Sequence, residues 1–221
     1  MFAPKIIQQL YGCDIYQGYV PSFPEDLQGW NSQAPVLSRA VDEVGSCVIF
    51  DIGVWKGAST IFLAETLRHR GVAGAVIAVD TFLGSAEHWV LKPDAPRPYR
   101  RRHGLPVLYD QFLSNIVRRR LQDYVVPMPQ TSETAAAILH AAGLRAGIIH
   151  IDAAHDYASV LRDARAYWEL LAPGGWLVGD DYHPTWPGVV QAADEFAVEV
   201  ARPLEVDPPK WIVRKPGERR E

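Results

Sequence analysis

The sequence predicts an α/β fold: a doubly wound, mostly parallel sheet, Rossmann-like, with helices on both faces and an antiparallel strand near the C-terminus. Three observations carry this. Short apolar runs alternate with stretches of helical periodicity, the pattern of successive βαβ units. The first run, 48–50, passes through Asp51 and two glycines, Gly53 and Gly57, into a helical pattern at Ile61, Phe62, Ala64 and Leu67. Four runs end on acids: Asp51, Asp80, Asp152 and the pair Asp180 and Asp181. In a parallel sheet the carboxyl ends of the strands share one rim, and ligands bind beyond that rim. Those acids are therefore predicted to converge.

Taken in order, residues 1–33 form a strap or lid. Ile6, Ile7 and Leu10 fit one face of a short helix, and Gly12, Gly18, Pro21 and Pro24 then break the pattern. Residues 34–44 read as a helix with Val36, Leu37, Ala40, Val41 and Val44 on one face. The run 75–79 is a second strand. The stretch 81–108 reads as an irregular insertion or lid loop, and such lengths are usually functional or disordered. A helix over 109–121, a short strand over 124–128 ended by Pro127 and Pro129, and a helix begun by Thr131 or Ser132 follow. The run 146–151 is a buried strand. A helix over 158–171 closes at Pro173, Gly174 and Gly175, which turn into the strand 176–179. A last helix over 187–200 and strands over 202–206 and 210–213 complete a domain spanning 34–215, and the charged tail 216–221 is predicted to fray.

Composition narrows the function classes. The 221 residues are 48% hydrophobic, enough for one domain with a full core. A net charge of -4 gives no drive toward nucleic acid or an anionic membrane. Cys13 and Cys47 make neither a metal motif nor a disulfide framework, no run is long enough to span a bilayer, and no secretory signal core is visible. The expectation is a soluble, cytoplasmic protein. The cluster Arg97, Arg100, Arg101, Arg102 and His103 reads either as a site for an anionic substrate or as solvated surface.

The turn after the first strand indicates the ligand. Gly53 and Gly57 allow a tight turn and a close helix N-terminus. Asp80 stands about twenty residues beyond Gly57, where such folds place an acid on a ribose diol. Trp55 occupies the position of a second glycine, which leaves little room for a pyrophosphate. Asp51 can meet an ammonium group. A ligand with a ribose, a cation and no phosphate fits S-adenosylmethionine (SAM) better than NAD.

Five segments together carry a family resemblance: Asp51 to Gly57, Val79-Asp80-Thr81, Ile151 to Tyr157, Leu171 to Gly175 and Gly179 to Tyr182. They resemble class I SAM-dependent methyltransferases, within them the branch of macrocin-type and novobiocin-type sugar O-methyltransferases and cephalosporin hydroxylase-like proteins. The resemblance implies SAM contacts from Asp51, Gly53, Gly57 and Ser59, a ribose contact from Asp80, and Ser132 near the adenine. It implies a divalent metal, Mg²⁺, on Asp152, Asp180 and Asp181. Related members often carry an acid where this chain has Ala154, so the base is reassigned to His155, with Asp152 the alternative.

The chemistry agrees with that ligand set. A hydroxyl acceptor must lose its proton, and an oxygen-bound Mg²⁺ would assist. Three crowded carboxylates without a cation would repel one another. The predicted activity is methylation of a hydroxyl on a glycoside, natural product or glycan precursor. A nucleotide-dependent oxidoreductase and a non-catalytic SAM-binding protein are the alternatives. The partner is a small-molecule or glycan acceptor, and a homo-oligomer is possible through the aromatic strap.

Overall fold

A computed structural model describes residues 2–90 and 99–218. The expectations for 91–98, including Arg97, and for 219–221 of the tail lie outside the described residues.

The central sheet is built from β1 (Cys47–Ile52), β2 (Gly74–Asp80), β5 (Val125–Pro129), β6 (Ala146–Ile151), β7 (Leu171–Gly179), β8 (Leu204–Asp207) and β9 (Lys210–Arg214). A separate two-residue pair, β3 (Arg101–Arg102) and β4 (Leu105–Pro106), forms a hairpin in the insertion. The sheet order is β5-β2-β1-β6-β7-β9-β8. Strands β5 to β7 in that order run parallel, while β9 pairs antiparallel with both β7 and β8. The order reverses between β1 and β6, which is the switch point where such sheets bind ligands.

Two cores cover the two faces. One packs α1 (Phe2–Tyr11), α6 (Ser132–Ala141), α7 (Tyr157–Leu170) and α8 (Pro187–Glu199) on the sheet through Ile7, Leu139, Tyr167 and Phe196. The other packs α2 (Pro35–Val44), α3 (Ala58–Arg70) and α5 (Leu108–Arg118) through Leu37, Leu67 and Phe112. Alternating strand residues feed the two layers: Phe50 and Ile52 face one, Ile49 the other. The strands are buried along most of their length, which is why they read as continuous apolar runs.

Three local readings change. Pro127 lies inside β5 rather than ending it. β5 is an edge strand, and the outward carbonyls of Val125 and Pro127 accept hydrogen bonds from the hydroxyls of Tyr16 and Tyr11. The missing N–H of Pro127 therefore costs no ladder bond, and two tyrosines of the N-terminal segment shield an edge that would otherwise be open. Pro173, Gly174 and Gly175 belong to β7, whose register with β6 shifts between Ala146 and Ile148, instead of forming a turn before it. The insertion 81–108 carries α4 (Ala86–Trp89) as well as the β3–β4 hairpin.

Candidate active site

The parallel strands deliver their acids to one rim, as the sequence predicts. Ladder bonds continue past the strand ends and fix them: the N–H of Gly53 donates to Val79, that of Asp152 to Ile52, and that of Asp180 to Ile151. Gly53 is required here on two counts. Its φ is 86°, and a Cβ at this position would lie 1.9 Å from the carbonyl oxygen of Asp152. Gly53→Ala is therefore expected to cost at least about 1–3 kcal/mol from backbone strain alone and to displace Asp152. Urea denaturation together with a SAM-binding measurement checks both effects.

A cavity of about 210 Å³ opens beside Gly53, lined among others by Asp80, Gly84, Ser85, Gln130 and Ser132. It holds three of the six residues expected at the cofactor, Gly53, Asp80 and Ser132. Asp80 accepts from the backbone N–H of Trp55 at 2.8 Å and of Phe82 at 2.7 Å. Each carboxylate oxygen has a second lone pair, so acceptor capacity remains for a diol. Burial pushes the Asp80 carboxyl above the usual carboxylate range, against the pull of those two N–H donors. Ser132 opens α6 behind the N-cap Thr131 and donates to buried Asp163. Gln130 was not singled out in the sequence, because nothing in the run 127–131 marks it.

Trp55 stands where a glycine was missing, and the backbone still takes the glycine-like conformation, φ 52°. The indole is held by the insertion, with ring centroids 4.6 Å from His88 and 5.8 Å from Tyr99. The segment around Gly84 thus docks on the turn between β1 and α3, at the mouth of the cavity.

Asp51, Gly57 and Ser59 are not among the residues lining this cavity. Asp51 is fully buried. One oxygen accepts from Ser59 and Thr60, and the other pairs with His150 Nδ1 at 2.7 Å. Asp51 and Ser59 thereby tie β1 to the first turn of α3 from behind the cavity. Gly57 has φ 92°, and a Cβ there would strike the ring of Phe112 at 2.8 Å. The neighbour at Gly57 is α5, which explains the glycine by packing.

The acid rim holds a buried polar chain that the sequence did not reveal. Lys210 Nζ donates to Asp180 at 2.6 Å and lies 3.0 Å from His150 Nε2. Because Lys210 donates to Nε2, His150 carries its proton on Nδ1 and donates it to Asp51. The chain Thr60–Asp51–His150–Lys210–Asp180 therefore runs from the first helix turn to the acid pair, a donor facing an acceptor at each link. Lys210 and His150 are both 0% exposed. The register explains the placement: Trp211 faces Gly179 across the antiparallel pair, so Lys210 falls beside Asp180. A histidine within the apolar run 148–151 was a readable hint of a buried partner. Lys210 gave no hint, since lysines are rarely buried.

Asp152 sits at the centre of the rim. Its ligand atoms lie within 4.8 Å of those of His150 and Asp180, and likewise of His155 and Asp181. Burial, then repulsion from Asp180, pushes its carboxyl up to about 8, with Lys210 opposing the rise. His155 Nε2 is 2.8 Å from Asp181, and its ring stacks on Trp186 at 4.3 Å. Asp181 is held with φ 62°, a strained conformation of the kind found at functional rims. The acids expected to bind Mg²⁺ do converge, but Asp180 has one oxygen on Lys210 and the other on the N–H of Asp181. The Lys210 ammonium thus lies beside the acid pair.

A family model described as a methyltransferase domain matches residues 50–182. The chain belongs to this methyltransferase family. The matched span contains the cavity and every rim acid described above, and it supports SAM as the cofactor. Solved structures share the fold across nearly the full chain. The O-methyltransferase NovP is 18% identical, with 97% of this chain and 98% of that chain covered and a TM-score of 0.63. An O-methyltransferase from Bacillus cereus in complex with SAH is 20% identical, with 95% and 100% covered and a TM-score of 0.59. CalS11, a calicheamicin methyltransferase, is 20% identical, with 81% and 76% covered and a TM-score of 0.57. No curated protein sequence matches the chain. Among the described residues, no helix of this methyltransferase is long and apolar enough to cross a membrane.

Proposed function

We propose that this methyltransferase moves the methyl group of SAM to a hydroxyl oxygen of a small-molecule acceptor: a glycoside, another natural product or a glycan precursor. The observation that carries the proposal is that the Gly53–Asp80–Ser132 cavity is also lined by Ala153, the residue after Asp152, whose carboxylate lies with His155 and Asp181. Asp80 would hold the ribose and Ser132 would lie toward the adenine. The acceptor oxygen attacks the methyl carbon in line with the departing sulfur. The carbon–sulfur bond breaks, its electron pair stays on sulfur, and S-adenosylhomocysteine leaves as a neutral thioether. The hydroxyl proton passes to Asp152, while His155, oriented by Asp181 and Trp186, lines the acceptor side.

An elevated carboxyl suits that role, because a general base works best with a pKa near the operating pH. The base must be ionised, so kcat/KM is expected to rise with pH through about 8. A profile flat between mildly acidic and mildly alkaline pH would exclude Asp152 as the proton acceptor.

The reacting hydroxyl is proposed to lie at Asp152 and His155, and the remote end of the acceptor in the cleft of about 670 Å³ between the N-terminal segment and the insertion, lined among others by Asp26, Lys56, Tyr99, Arg100, Arg101 and Gln111, with Asp26 paired to Lys56. Arg101 stacks on Trp89 at 4.1 Å, and among the described residues neither Arg100 nor Arg101 pairs with a carboxylate. That chemistry favours an acceptor bearing an anionic group. One structural neighbour points the same way, since CalS11 is a TDP-rhamnose 3'-O-methyltransferase. The test is transfer of a labelled methyl group from SAM to a panel of neutral and anionic glycosides. A base-stable methyl ether is the expected product; labelled nitrogen or carbon products would overturn the oxygen assignment.

A further inference from the structure

We propose that the Lys210 ammonium serves as the rim's resident cation, so that this chain needs no divalent metal for methyl transfer. The inference rests on the methyltransferase reading and adds the electrostatic device that runs it. The residues expected to hold Mg²⁺ do not fit such an ion. Mg²⁺ takes oxygen ligands in near-octahedral geometry and binds through carboxylates with open lone pairs. Each Asp180 oxygen already accepts one bond, from Lys210 at 2.6 Å and from the N–H of Asp181 at 2.8 Å, and an ion on either remaining lone pair would lie beside the positive charge of the ammonium. The ammonium already sits among Asp180, His150 and the neighbouring Asp152, where a metal would compete for the same negative charge.

The remaining donor set is Asp152, His155 and Asp181, and two of its members are already paired with each other at 2.8 Å. It shares Asp152 with the ammonium's cluster, so a second cation there would meet the field of Lys210 at close range. The lysine is also built in. It opens β9, its register with β7 is fixed by four residue pairs, and it has no exposure to solvent through which to swing away. A flexible surface lysine would give way to an incoming metal; this one cannot do so without breaking its bonds to His150 and Asp180.

The reading makes two opposite forecasts for two proteins. The wild-type chain, saturated with S-adenosylhomocysteine, is titrated with MnCl₂ and followed by the electron paramagnetic resonance signal of free Mn²⁺, and separately with MgCl₂ by melting temperature. No uptake and no melting shift at millimolar concentration are expected. In Lys210→Met the carboxylate of Asp180 is released, and about one Mn²⁺ per chain should disappear from the free signal, with a rise in melting temperature. Uptake of one Mn²⁺ per wild-type chain would overturn the proposal, as would a folded Lys210→Met that takes up none. If Lys210→Met does not fold, the wild-type titration decides alone. Loss of S-adenosylhomocysteine binding would strike the methyltransferase reading, whereas Mn²⁺ uptake with that binding intact would strike only the role of Lys210.

Discussion

Asp152→Asn is expected to lower methyl transfer by roughly 10²–10⁴-fold, the usual range for loss of a general base, while S-adenosylhomocysteine still binds. The melting temperature should rise. Asp152 is pushed up to about 8 in the folded chain from an ordinary value of 3.8, chiefly by burial. A carboxyl raised in this way gives stability that is full below the unfolded value and is lost as pH climbs toward the folded one. At neutral pH the residue therefore weakens the fold, and an uncharged isostere removes that cost. Activity that falls while stability increases is the signature of a residue kept for chemistry. A variant that loses both would place Asp152 among the structural groups. Rates on the accepted glycoside and thermal melts of both proteins supply the comparison.

Lys210→Met is expected to destabilise the fold by about 3–5 kcal/mol, the range for breaking a buried ion pair by removing one partner. The loss strands the Asp180 oxygen that accepts at 2.6 Å and removes the donor to His150 Nε2. The double change Lys210→Met with Asp180→Asn should recover much of that stability, because neither charge is then left uncompensated. Urea denaturation of the two single variants and the double variant gives the coupling. Additive losses would mean that the two side chains do not form the pair seen at the rim.

The sequence was most readable where burial is continuous. Runs such as 75–79 and 146–151 are apolar because both faces of the parallel sheet are covered, and their order alone predicts the layers. The same logic foretold that Asp80, Asp152 and Asp181 would meet, since parallel strands expose only one kind of end at each rim. It was weaker wherever a residue's reason lies in a distant partner. Gly57 looks like a ligand-facing glycine until Phe112 is found against it. Asp51 looks free to meet an ammonium group until it is found buried against Ser59, Thr60 and His150. Pro127 looks like a strand stop until β5 proves to be the sheet edge. Lys210 was invisible for the most general reason: its contact with Asp180 depends on antiparallel register between β7 and β9, which α8 and β8 separate in the chain, and no local pattern encodes that register.

The charge arithmetic at the rim left out Lys210, which stands on a strand whose middle residues, Trp211, Ile212 and Val213, are apolar.

Calorimetric titration with S-adenosylhomocysteine tests the central claim most directly. The claim predicts one site per chain in the wild type. In Asp80→Ala, which removes a charge-assisted acceptor of the kind worth about 1.5–3 kcal/mol, affinity should fall by roughly 10–150-fold. A wild-type chain that binds no S-adenosylhomocysteine, or an Asp80→Ala variant that binds it equally well, would contradict the cavity beside Gly53 as the cofactor site.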